Sequence, residues 1–439
     1  MARRYLVVGL GAAGLAAAET IRGLDAAGEI LLVSDDPHGY SSGPGLPSYL
    51  TGELAGSWRA PFAEDDFRQL DLGRLHARGV ALRPHAGEVW LDGGRRLPYD
   101  RLLLATGSRA VAPPMPGDGL QGVVKLDDMA EAREILRRCR RARAAVVVGG
   151  GVTALVLAEG LNARKVRTHY LLRQDRYWPA VLDETESRIV EERLQKEGIH
   201  IHPGTEVSEI VGQGGRVRGV VTAGGQRIDC DVVAVAVGVR PRMELAASAG
   251  LRADRGILVD EYLQSSVPGV LAAGDVAQVF DPTSGRAVLD TLWGIAVGQG
   301  RAAGRNMAGQ PVPYRKPVPF NVTRLAGLTT TIIGTVGRGR DGDLPGIARG
   351  DSEPWRHHPG VPAVQAAFEV NRVRVLVGES TLRGAIVMGD QALSRPLQEL
   401  VTRQADISPI RDELLRPEVR LGEVIVRFWS EGSWRNAAP

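Results

Sequence analysis

An apolar strand that empties into closely spaced glycines and then into a helix-forming run occurs twice in this 439-residue chain, and no other feature restricts its fold as much. The first copy runs Arg4-Tyr-Leu-Val-Val-Gly9-Leu-Gly11-Ala12-Ala13-Gly14 into the alanine-rich stretch 15–24. The second runs Ala144-Ala-Val-Val-Val-Gly149-Gly150-Gly151-Val-Thr153-Ala154 into the helical pattern Leu155–Leu161. In such a turn the first Gly permits a tight reversal, the second lets a pyrophosphate approach the backbone, and the third lets helix and strand pack closely. Phosphate then sits on the helix N-terminus, where free N–H groups and the helix dipole favour negative charge. The repetition predicts two Rossmann-like βαβ units, each a candidate dinucleotide site.

At about 100–200 residues per domain, this length gives two to four domains and room for a large ligand. Hydrophobic residues at 44% and charged residues at 24% exclude disorder as the main state. The apolar stretch Tyr5–Ala18 follows Arg3 and Arg4 in the manner of a signal peptide. It is shorter than the roughly 20 residues a span requires, and glycines interrupt it, so a cytoplasmic chain without a membrane span is expected. Cys139 and Cys230, the two cysteines, exclude a disulfide scaffold, a Cys-x-x-Cys pair and any thiolate-only iron–sulfur or zinc site. Only Lys125, Lys165, Lys196 and Lys316 among the 54 basic residues are lysines, a skew that reflects genome composition more than function. A net charge of +3 is too small to argue for nucleic acid. His200 and His202 face one side of a predicted strand with no third ligand at a suggestive spacing, and His357-His358 lies in a Pro/Gly-rich loop. Both pairs read as solvated, and no metal site is expected.

Three further pieces surround the first copy. The strand Glu29–Val33 ends in Ser34-Asp35-Asp36, placing Asp35 about 20 residues beyond Gly14, where a carboxylate can hydrogen-bond adenosine ribose hydroxyls. Residues 102–107 form a buried-strand run ending in Ala105-Thr106-Gly107, and residues 267–276 form another ending in Gly274-Asp275. Together they resemble the FAD-dependent pyridine nucleotide oxidoreductases, the two-dinucleotide-binding flavoproteins. The resemblance continues through Val237-Gly238-Val239-Arg240-Pro241, Gly256–Asp260 and Leu292–Gly300, and covers about residues 4–325.

It implies an α/β fold of two nested Rossmann-like, glutathione-reductase-like dinucleotide-binding domains with a C-terminal α+β domain. The FAD domain would comprise 1–110 and 245–325, the NAD(P) domain 111–244 and the C-terminal domain 326–439. By the same resemblance Ala105, Thr106 and Gly107 lie beside FAD, Asp275 after Gly274 bonds the ribityl chain, and the helix start at Trp293 faces the flavin's pyrimidine edge. With Gly9, Gly11, Ala12, Ala13, Gly14, Ser34 and Asp35 these are the FAD-site residues. Gly149, Gly151, Thr153, Arg173 and Gly238 are those of the second site. The C-terminal part is similar, less specifically, to the last module of rubredoxin reductases and of the flavin portion of assimilatory nitrite reductases. It reads as an interface or partner-docking domain, compatible with a homo-oligomer, with Phe428, Trp429 and Trp434 as packing residues or, alternatively, as a partner anchor.

The segment Tyr40–Glu53 resembles the Asn-Cys-Gly-Leu-Pro-Tyr-Tyr stretch of single-cysteine NADH oxidases and coenzyme A disulfide reductases, with Pro44 in the Cys position. Proline offers no nucleophile, so disulfide, peroxide and mercuric reduction are disfavoured, and Cys139 and Cys230 read as structural. No side chain is expected to act as acid, base or nucleophile. Electrons would leave the flavin for a protein electron carrier or partner redox subunit, a quinone or oxygen. The run Arg137, Arg138, Arg140, Arg141, Arg143 reads as a solvated helix C-terminus, with docking of an acidic carrier as the alternative. Ferredoxin reductases usually carry a Lys after the equivalent Pro-Leu-Ser stretch. None stands between residues 40 and 60, which favours the nitrite-reductase-like branch.

The second copy departs from the family pattern. Val156 stands where a Glu is usual, and Leu172-Arg173 where an acid would hold the ribose of NADH. Losing a charged hydrogen bond costs roughly 1.5–3 kcal/mol, about ten- to hundredfold in affinity. Arg173, with Arg176, can instead pair with the 2′-phosphate of NADPH. The sequence thus reads as a FAD-dependent NAD(P)H oxidoreductase serving an electron carrier. Two alternatives stay open: a non-enzymatic FAD electron-transfer subunit with a degenerate NAD(P) site, and an NAD(P)H oxidase reducing oxygen.

Overall fold

The computed structural model describes residues 2–36, 45–53, 62–112, 114–282, 285–336, 346–350, 370–416, 419–432 and 434. The chain divides into two compact units, both discontinuous: Met1–Leu171 with Gly198–Lys316, and Leu172–Glu197 with Pro317–Pro439.

The first unit contains two five-stranded parallel sheets built alike. One runs in the order Val270–Ala272, Arg101–Leu104, Arg4–Val8, Glu29–Ser34, Gly73–His76. The other runs His200–His202, Arg167–Leu171, Ala144–Val148, Val232–Val235, Val123–Val124. In each, the strand that precedes the glycines is central, with chain order reversing on either side of it. That reversal opens a crevice at the carboxyl ends of the strands, where ligands of this fold class bind. Parallel strands covered on both faces must be apolar throughout, and Leu102, Leu103, Leu104, Val146 and Val147 are all fully buried. The helices Ala12–Leu24 and Val152–Ala163 follow the two glycine turns. The nested α/β organisation expected from the repeat is the one observed. Two crossing segments, Ser108–Ala110 and Val239–Pro241, pair antiparallel between the sheets.

The second unit is an antiparallel sheet in the order Phe320–Leu325, Leu328–Gly334, Leu382–Gly389, Asn371–Val377, Gly346–Gly350, with the helices Ser394–Thr402 and Leu421–Glu431. Phe428 and Trp434 are buried in its core and Trp429 packs against it, so all three are packing residues. The unit also includes the helix Glu184–Lys196, whose N-terminus is a capping box between Asp183 and Glu186. Glu186 is fully buried and accepts from Arg374 Nε at 2.9 Å, while Arg374 Nη2 donates to the Val181 carbonyl at 2.6 Å. Arg372 Nη2 reaches Asp183 at 3.0 Å. Among the described residues, no helix is long and apolar enough to cross a membrane.

Candidate functional site

The first glycine turn is held by neighbours on both sides. Gly9 has φ +118°, its N–H donates to the Val33 carbonyl at 2.8 Å, and a Cβ there would stand 1.9 Å from the Ala105 carbonyl oxygen. A Cβ on Gly14 would stand 2.0 Å from the Gly9 carbonyl oxygen, so helix and turn touch backbone to backbone. Around Gly11, by contrast, a Cβ would meet nothing within 4 Å. Gly11 is the N-cap of the helix Ala12–Leu24, with extended backbone and no side-chain cap, so the first N–H groups face that opening without competition. The cradle has the shape and polarity that a pyrophosphate requires.

Three other elements close on the same edge. Ala105, donating to the Val8 carbonyl at 2.8 Å, leads into Thr106 and Gly107. Thr106 Oγ1 donates to the Arg242 carbonyl at 2.7 Å, and the Gly107 carbonyl accepts from the Arg242 N–H at 2.9 Å. Gly274, at φ +79°, directly precedes Asp275, whose carboxylate accepts from Ser108 Oγ at 2.7 Å. Burial pushes the Asp275 carboxyl up, with the Ser108 hydrogen bond opposing the shift and Asp290 adding to it. The Gly274 N–H donates to Gln299 Oε1 at 2.7 Å. Gln299 lies on the helix Trp293–Met307, which crosses Ala12–Leu24 so closely that a Cβ on Gly300 would fall 2.2 Å from the Ala13 carbonyl oxygen. Trp293 opens that helix and is 48% exposed.

Asp35 lies just past the strand Glu29–Ser34, while the Ser34 hydroxyl accepts from the Asp36 N–H at 3.1 Å. The Asp35 carboxylate pairs with Arg78 Nε at 3.0 Å and lies 4.0 Å from Arg242 Nη1, so a ribose hydroxyl there would join an ion pair already formed.

The second turn repeats the first. Gly149 has φ +146°, and a Cβ would stand 2.1 Å from the Ala236 carbonyl oxygen. Gly150 and Gly151 face open space, and Gly151 is the extended, uncapped N-cap of the helix Val152–Ala163. Ala154 is buried, Thr153 exposed, and Val156 buried in the helix's packed face. Gly238, at φ +124°, lies past the strand Val232–Val235, and its carbonyl accepts from the Val111 N–H at 2.9 Å. Arg173, exposed, lies two residues beyond the strand Arg167–Leu171, in the second compact unit.

Both cysteines are buried. Desolvation pushes the Cys139 thiol up and the Cys230 thiol up to about 12, which leaves neither as a thiolate near neutral pH. Pro44 and His357-His358 lie outside the described residues. His200 and His202 are not simply solvated, because parallel register brings in His169 beside them. His169 Nδ1 lies 3.0 Å from His202 Nε2, and its ring stacks on His200 at 5.1 Å. Among the described residues no group of three His, Cys, Asp or Glu is arranged to hold a metal.

Sequence reading missed Arg78, Arg242, Ser108, Gln299 and the partly buried ion pair of Lys316 with Asp290, 3.7 Å apart. One signal was available for the pair, since Lys316 is one of only four lysines.

The family model described as pyridine nucleotide-disulphide oxidoreductase matches residues 3–300. The ferredoxin–NAD(+) reductase component of the biphenyl dioxygenase system of Paraburkholderia xenovorans is 32% identical, over 79% of this chain and 84% of its own. Subunit epsilon of the NADH-dependent phenylglyoxylate dehydrogenase of Aromatoleum evansii is 26% identical over 97% of this chain and 98% of its own. Among solved structures, an NAD-dependent persulfide reductase from A. fulgidus superposes with a TM-score of 0.84 at 26% identity, covering 98% of this chain and 83% of its own.

Proposed function

Because this chain belongs to the pyridine nucleotide-disulphide oxidoreductase family, we propose that it is a FAD-dependent NAD(P)H oxidoreductase whose electrons pass to a protein electron carrier or partner redox subunit. The observation that carries the reading is the pairing of two open glycine cradles with the absence of a usable thiol: both cysteines are buried, and burial raises both thiols. FAD, when bound, supplies the step between two-electron and one-electron chemistry.

The chain's own residues bind and orient. Gly9, Gly11, Ala12, Ala13 and Gly14 would receive the pyrophosphate of FAD, and Asp35, steered by Arg78, the adenosine ribose. Ala105, Thr106 and Gly107 would lie along the cofactor. Asp275, fixed by Ser108, would accept from its hydroxyl-bearing chain, and Trp293 would flank its ring end. Gly149, Gly151, Thr153 and Gly238 would hold the nicotinamide dinucleotide, with Arg173 selecting NADPH through the 2′-phosphate. On this reading residues 1–110 with 245–325 serve FAD, 111–244 serve NAD(P), and 326–439 face the partner, in the cytoplasm.

The 32% identity to a ferredoxin–NAD(+) reductase component supports a carrier as acceptor. A second reading, a flavin subunit of a larger complex, is favoured by the end-to-end match to subunit epsilon of a dehydrogenase. Anaerobic titration of purified protein with NADH and with NADPH tests the choice. Bleaching of the flavin absorbance by at least one nucleotide is expected, followed by rapid recovery on adding an oxidised iron–sulfur carrier. Bleaching by neither overturns the reductase reading and leaves the subunit reading.

A further inference from the structure

Asp290 and Lys316 form an ion pair with side chains only 11% and 9% exposed. Their place in the fold matters more than their separation. Asp290 stands two residues ahead of Leu292, the N-cap of the helix Trp293–Met307, and its Oδ1 receives the Leu292 N–H at 3.4 Å. That helix is locked to the carboxyl edge of the first sheet by Gln299, which accepts from the Gly274 N–H next to Asp275. Asp290 is close enough to Asp275 to add to the upward push on its carboxyl. Two polar atoms mark the same spot: Gln299 Nε2 and the Tyr314 hydroxyl are both shut off from solvent. Burial pushes the Tyr314 hydroxyl up to about 12, with Gln299 opposing and Asp290 adding.

A buried ion pair is a weak source of stability, because desolvation offsets most of its attraction. Its field, however, is poorly screened inside a protein. We propose that the Asp290–Lys316 pair sets the electrostatic potential at this edge and thereby the midpoint potential of the redox cofactor held there, with Lys316 as the positioning residue that neutralises Asp290. This rests on the FAD reading above. A Lys ammonium is a compact point charge, so it can cancel one carboxylate locally. Without it, Asp275 and Asp290 would leave an unbalanced negative field that opposes electron uptake.

The test is spectroelectrochemical titration of the full-length, FAD-loaded protein and of Lys316→Met, Asp290→Asn, the double variant and Lys316→Arg. Lys316→Met should lower the midpoint potential and Asp290→Asn raise it. The double variant and Lys316→Arg should stay near the wild type. A pair that only supports packing would change melting temperature and FAD retention and leave the potential in place, and equal potentials in Asp290→Asn and the wild type overturn the inference. Should Lys316→Met fail to fold, Asp290→Asn and the double variant decide alone, because adding the second substitution must then bring the potential back down. A wild-type protein that binds no FAD removes the FAD reading itself, an outcome distinct from a flavin that binds with an unmoved potential.

Discussion

The two glycine cradles have nearly the same backbone and different side chains. At the first, Gly9 leaves 1.9 Å for a Cβ beside Ala105; at the second, Gly149 leaves 2.1 Å beside Ala236. Their helix N-caps match too, Gly11 at φ −93°, ψ −170° and Gly151 at φ −112°, ψ −174°. They diverge at the third glycine, Gly14 against Ala154, and after the neighbouring strand, Asp35 against Arg173. The glycines that touch backbone fix the shape of each turn, while on the proposed function the residues after the next strand would choose which nucleotide fills it. On the proposed function, a departure from the family pattern at Arg173 would bear on specificity before it bears on the existence of the site.

The largest effects should come from filling the cradles. Gly9→Ala meets a carbonyl oxygen and a forbidden φ together, and should cost about 3 kcal/mol or more, seen as loss of bound FAD and a lower melting temperature. Gly149→Ala meets the same obstacle at the second cradle. It should abolish flavin reduction by NAD(P)H while released FAD stays near one per chain; wild-type turnover in that variant would show the second cradle to be idle. Next comes Arg173→Glu, which should lower kcat/KM for NADPH by roughly ten- to hundredfold relative to NADH, the worth of one charged hydrogen bond. An unchanged ratio would remove Arg173 from nucleotide choice.

A smaller contrast follows from equivalent strand positions. Leu31 pairs with Leu6 in the first sheet, as His169 pairs with Val146 in the second. Burial first, then His202, His200 and Arg167, lower His169 from 6.5 to about 4. The folded state thus favours the neutral ring, so the stabilisation is present above pH 6.5 and drains away as pH falls from there through about 4. His169→Leu, which copies the first sheet, should flatten the fall in melting temperature over that window. The smallest effect is expected from Ala154→Gly. Gly in a helix interior costs about 0.5–1 kcal/mol, and denaturant unfolding should show no more than that, with NAD(P)H kinetics intact. Gly14→Ala, which meets the Gly9 carbonyl, should be far worse.

Both glycine turns and the central strands were legible in the sequence because each depends on contiguous residues whose types the backbone geometry demands. The polar support around them was not. Arg78 reaches Asp35 across 43 positions and Gln299 reaches Gly274 across 25, distances over which no local pattern reports a contact. Tyr314, Lys316 and Asp290 sit in stretches with no periodicity, and only packing brings them together. His169 escaped because spacing along one strand cannot show what register places on the next. Asp183-x-x-Glu186 carries an ordinary capping signature, and nothing in it distinguishes an exposed helix start from one buried under Arg374.

That last contact has a consequence for how the chain is made. Glu186 leaves the ribosome 188 residues ahead of Arg374. At about 5–20 residues per second, the wait is roughly 10–40 s, during which a carboxylate destined for full burial has no guanidinium to receive it. The helix Glu184–Lys196 therefore cannot complete its native packing until the final sheet has been synthesised. A chain cut at residue 325 would keep both glycine cradles and strand Glu186 in water. Packing of this helix is thus paced by the synthesis of Arg374, not by the completion of the helix's own hydrogen bonds.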